Sequence, residues 1–94
     1  MNKTPVAYEF SYFSEPHDYW LGVDPESKRH LLGIPVSNSM VDYIETYWLE
    51  PEQHTAFREQ DELAAQFADA CRRRERDDLL THPPGRNRGT PNLP

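Results

Sequence analysis

Ninety-four residues carrying a net charge of −6 and one cysteine describe a single small domain without an internal disulfide, and no apolar run reaches the roughly 18 residues a membrane helix needs. Apolar residues are 36% of the chain, below the usual figure of about 45–50%, so the core must lean on aromatics: five Tyr, four Phe and two Trp against six Val and Ile. The charge is uneven. Residues 1–71 hold thirteen acids and four bases, or −9, and residues 72–94 hold three acids and six bases, or +3. An acidic body of this kind repels phosphate backbones and suits a basic protein surface. The opening MNKTPVAYEF lacks the apolar stretch of a secretory signal, and the expectation is a soluble, cytoplasmic protein.

In chain order, the first element is a strand predicted over residues 5–13. Val6, Tyr8, Phe10 and Tyr12 alternate with Ala7, Glu9, Ser11 and Phe13, which places the first set in the core and the second on the opposite face. Residues 14–18, with Pro16, break the pattern. A second strand at 19–23 leads into Asp24-Pro25-Glu26-Ser27, whose Asp and Pro occupy the first two positions of a type I turn. A third strand at 28–34 is stopped by Pro35. Together these make a three-stranded antiparallel meander with large aromatics, Trp20 and Phe13 included, on its second face.

Ser37, Asn38 and Ser39 offer helix caps, and Met40, Val41, Tyr43, Ile44, Tyr47 and Trp48 share a helical arc of about 160°. A helix is therefore predicted over 39–49. Pro51 disfavours helical geometry at Glu50 yet opens a new helix comfortably, so a second helix is predicted over 51–78, joined to the first as a hairpin or as a kinked continuation. In it Ala56, Phe57, Leu63, Ala64, Phe67, Ala68, Ala70 and Cys71 form one face, set to pack on the sheet or on the first helix. The apolar stripe ends at Cys71, and residues 72–80 are expected to project into solvent. The reading is an α+β domain over residues 1–82, with residues 83–94, rich in Pro, Gly, Asn and Arg, as a disordered tail.

Motifs for chemistry are absent. His17, His30, His54 and His82 match no metal spacing, and with one cysteine no metal or cofactor site is expected. Phosphate loops, nucleophile elbows and Cys/His motifs are missing, and no catalytic residue is assigned. An enzyme built on His17 or His30 ranks behind the other readings, because its site would have to form in three dimensions alone. Arg72, Arg73, Arg74 and Arg76, with Arg86 and Arg88 beyond, are the case for a nucleic-acid-associated regulator. Asp69, Glu75, Asp77 and Asp78 interleave with them, Asp69 and Arg73 stand at the favourable i, i+4 helix pairing, and bases also complement the negative end of a helix, so nucleic acid is the weaker reading. The leading expectation is a non-enzymatic protein that inhibits or adapts a larger partner with a basic surface. Contact is assigned to Glu59, Glu62 and Asp69, with Trp20 or Trp48 as anchor. A homodimer is expected if the second aromatic face is not covered within one chain.

Overall fold

The computed structural model describes residues 8–84 and 88–91. Four antiparallel strands, β1 (Glu9–Ser14), β2 (Tyr19–Val23), β3 (His30–Ser37) and β4 (Asp42–Leu49), lie side by side in chain order. Two helices follow, α1 (Pro51–Glu59) and α2 (Asp61–Arg72), then a 3-10 turn at Asp77–Leu79 and a two-residue strand, β5 (Thr90–Pro91), paired with β3. The fold is α+β with two helices after an antiparallel meander, as the sequence predicts, but the meander has one strand more. The first strand starts at Glu9; its predicted residues 5–7 lie outside the described residues.

The extra strand stands where a helix is predicted at 39–49. β4 pairs with β3 along its whole length, from Ser37 opposite Asp42 to His30 opposite Leu49. Tyr43, Glu45, Tyr47 and Leu49 face the helices, and Ile44, Thr46 and Trp48 face the other side. Because both faces carry apolar groups, a helical arc can be drawn through the same residues. Composition decides against it, since Ile, Thr, Tyr and Trp lose rotamer freedom in a helix and gain cross-strand packing in a sheet. The expected helix cap is a hairpin turn, in which the Asn38 side-chain oxygen accepts the N–H groups of Met40 and Val41. β3 also runs through Pro35, where the sequence predicts a stop. Thr46 accepts an outer hydrogen bond from Thr81, so by alternation Ile44, opposite Pro35, also points outward from β4. Pro35 therefore turns its nitrogen to the other edge of β3, in the gap between the last pair with β2, at Gly33, and the first with β5, at Val36. A missing N–H costs no ladder bond there.

One face of the sheet, with Tyr19, Leu21, Leu32, Ile34, Val36, Tyr47 and Leu49, meets Phe57, Ala64, Phe67, Ala68 and Cys71 of the helices in one buried cluster. This is the predicted Ala/Phe face at work. Ala64 and Ala68, both fully buried, let α2 approach the sheet closely, while Phe57 and Phe67, 5.6 Å apart, fill the space between the helices. The predicted single helix over 51–78 is broken at Gln60, which is extended at φ −129° and ψ 96°, and α2 ends at Arg72 and not at residue 78. There Arg74 takes a left-handed φ of 61°, its N–H bonds Cys71 O, and the Glu75 N–H bonds Ala70 O. That pairing is a Schellman stop, which satisfies the last carbonyls and turns the chain back. Leu79 and Leu80 then return to the core and Arg72 is buried, so of the stretch 72–80, expected to project into solvent, Arg73, Arg74, Glu75, Asp77 and Asp78 are exposed while its two ends pack inward.

Residues 88–91 correct the predicted tail in the same way. They cross the end of the helix-covered face and add β5 to β3 at Val36 and Ser37. The remaining tail residues, 85–87 and 92–94, lie outside the described residues. No helix among the described residues is long and apolar enough to cross a membrane.

Candidate functional site

The side of the sheet turned away from the helices is aromatic, and a β-bulge arranges it. In β1, Phe10 stands opposite Gly22 and Tyr12 opposite Leu21, with Ser11 as the extra residue. The bulge shifts the phase of the strand, so that Phe10 and Phe13 share the open face while Tyr12, with Ser14 beyond it, turns to the helix side. This corrects the alternation predicted from sequence, which puts Phe10 with Tyr12 in the core.

Part of the open face is roofed by its own side chains. A Cβ on Gly22 would lie 2.9 Å from Phe10 Cδ1, and one on Gly33 would lie 2.6 Å from Ile44 Cγ2; both glycines are places where a neighbour lies flat on the backbone. Leu31, on this side by register, is fully buried. Trp48 is half-buried, with the Arg29 guanidinium 4.0 Å above its ring and Tyr8 edge-on at 6.2 Å. Phe10 and Phe13 remain 37% and 43% exposed. Trp20, half-buried, lies between them with ring centroids 6.1 and 4.7 Å away. Of the two tryptophans assigned as anchors, both half-buried, Trp20 lies between Phe10 and Phe13 and Trp48 stands apart from them, between Arg29 and Tyr8.

Glu59, Glu62 and Asp69 are exposed on the helices, on the opposite side of the sheet from Trp20. The structure does not bring the assigned acids and the assigned aromatics together. A contact of ordinary size, about 800 Å² on each partner, covers one set or the other.

The four arginines assigned to nucleic acid are engaged locally. Arg72 is buried; it pairs with Asp69 at 2.7 Å and donates to the backbone oxygens of His17 and Asp18, tying α2 to the β1–β2 turn. Asp69 thus pairs with Arg72 and not with Arg73. Arg73 pairs with Glu75 at 2.9 Å, which holds the Glu75 carboxyl below its ordinary range. Arg74 donates to Gly89 O. Arg76 lies 3.6 Å from Asp78 and over the Phe67 ring.

Two polar clusters centre on carboxylates, Asp61 and Glu45, that the sequence does not single out. In one, the Asp61 carboxylate at the start of α2 accepts from the Tyr19 hydroxyl and from Ser14 Oγ, and His17 Nε2 stands 3.4 Å away. Burial, and then this carboxylate, push the Tyr19 hydroxyl well above its ordinary range. Ser14 bonds the carboxylate and not the histidine, so the histidine does not activate it as a nucleophile. In the other, Glu45 of β4 accepts from the Tyr47 hydroxyl and from Arg88, and Arg88 reaches on to Asp77. Both are signals of tertiary structure, invisible to spacing.

His30 and His54 stack at 4.0 Å. Among the described residues no three His, Cys, Asp or Glu side chains come together as a metal site. Cys71 is buried, and burial pushes its thiol up to about 12, which keeps it out of thiolate chemistry.

Neither a family model, nor a curated protein, nor a solved structure matches this chain.

Proposed function

We propose that the protein acts by binding a larger protein, as a non-catalytic inhibitor or adaptor of the cytoplasm such as bacteria and their phages use, and that Phe10, Phe13 and Trp20 anchor the contact. One observation carries this reading. Three aromatic rings, Phe10, Phe13 and Trp20, stand together at the β1 edge of the sheet and stay partly open to water, while Leu31 on the same face is fully buried. Exposed aromatics in one patch are the groups that dominate binding energy at protein interfaces. The clusters around Asp61 and Glu45 support the same reading from the other direction, because their donors and acceptors are turned on each other. The local pairing of Arg72, Arg73, Arg74 and Arg76 leaves little for a phosphate backbone to gain.

A photo-crosslinking amino acid placed at Phe13 or at Glu62 in the native host tests the proposal. The expected outcome is one cross-linked protein of defined mass from position 13 and none from position 62. Cross-linking from position 62 alone would move the contact to the helices, and none from either position would count against a protein partner.

A further inference from the structure

The segment 88–91 is held as a ligand is held. Arg88 makes two bidentate contacts at once. Its Nε and one terminal nitrogen donate to Glu45 Oε2 and Oε1 at 2.7 and 3.0 Å, and its terminal nitrogens donate to Asp77 Oδ2 and Oδ1 at 2.8 and 2.9 Å. The Arg88 side chain is 11% exposed and that of Glu45 9%. The fork geometry suits a guanidinium and not an ammonium. Next, the Gly89 N–H donates to the Tyr43 hydroxyl at 2.7 Å, and Arg74 donates to Gly89 O. A side chain at position 89 has no room, since a Cβ would lie 2.9 Å from both C and O of Ser37. Thr90 and Pro91 then pair with Ser37 and Val36 as a strand. Arginine side chain, bare backbone and strand register are each read by a separate feature of the body.

By contrast, the segment adds nothing to the apolar core, whose last member in the chain is Leu80. A hollow of about 180 Å³ lined by Tyr43, Glu45, His82, Pro83 and Pro84 opens beside the fork. We infer that Glu45, Asp77, Tyr43 and the Val36–Ser37 edge of β3 form a recognition site for an extended Arg-Gly segment of a protein partner, and that residues 88–91 are its displaceable resident. A tethered resident competes at an effective concentration in the millimolar range, so a partner needs a second contact to displace it. The biological use of the site rests on the reading of the protein as a protein binder; its existence does not.

The test titrates the capped peptide Arg-Gly-Thr-Pro into the full-length Arg88→Ala protein, followed by NMR. Saturable shifts at Val36, Ser37 and Tyr43 are expected. Lys-Gly-Thr-Pro should bind about tenfold more weakly, and Arg-Ala-Thr-Pro should not bind. The absence of saturable shifts at about 1 mM peptide, the scale of the tethered competitor, or equal binding of the Arg and Lys peptides, would overturn the inference. A second measurement needs no variant. In the wild-type protein the Gly89 and Thr90 amides should exchange through local opening, ahead of β3 and β4. If they exchange only by global unfolding, the segment is a fixed part of the fold and the inference fails. Neither failure touches the Phe13 patch, which lies on the other side of the sheet.

Discussion

His54 lies ring to ring with His30, and its titration is displaced by that setting. Burial first, then the charges of His30 and Arg58, hold it below its ordinary value of 6.5. The folded protein therefore binds this proton less readily than the unfolded chain. As the pH falls below about 6.5 the unfolded state is protonated first, and stability declines. His54→Gln should flatten the fall in urea midpoint between about pH 7 and about pH 5 relative to the wild type; an unchanged slope would mean the pair has no part in it. At this scale the sequence is legible for composition and poor for partners. It places Cys71 on a buried face, and that is where it lies. It pairs Asp69 with Arg73, whereas Arg72 turns inward to the His17 and Asp18 carbonyls and takes Asp69 with it. The Ser11 bulge is likewise unreadable, because nothing in Glu9-Phe10-Ser11-Tyr12 marks which residue is the extra one.

Among the elements, α2 depends on one carboxylate for its entry. Gln60 is its cap without a side-chain bond, and Asp61 instead ties the first turn to Ser14 and Tyr19. Tyr19 is fully buried, so Asp61→Ala would take the carboxylate acceptor from its hydroxyl and from Ser14 Oγ together. A loss of about 2 kcal/mol is expected in chemical denaturation, against less than about 0.5 kcal/mol for the exposed neighbour Glu62→Ala. Equal losses would show that the cluster is not what seats α2. The Ala/Phe face of residues 56–71 and β2 are legible because their apolar residues follow one period, whereas the break at Gln60 and the stop after Arg72 interrupt no apolar pattern and are not. β4 is not, because it is covered on both faces and its aromatics satisfy the helical and the strand period alike. The density of Ile, Thr, Tyr and Trp across 43–48 was the available signal. Residues 88–91 escape any reading by hydrophobicity, since polar contacts and Arg88 hold them.

For the molecule as a whole, the sheet separates two surfaces. The helix side carries Glu59, Glu62 and Asp69, and the open side carries Phe10, Phe13 and Trp20. Sequence can name both groups, yet only strand register shows that they point apart. In the proposed reading, the net charge of −6 would act at long range to steer encounters with a basic partner, and the rings, once desolvated, would decide how long a complex lasts. The measurement that bears most directly on this division is the affinity of the partner captured at position 13 for two sets of variants. Phe13→Ala and Trp20→Ala are each expected to weaken binding by about 10- to 100-fold, the range of anchor residues, mainly through faster dissociation. Glu59→Ala, Glu62→Ala and Asp69→Ala together should change it by less than about threefold at physiological salt. The reverse order, with the acids dominant and the rings silent, would contradict the account.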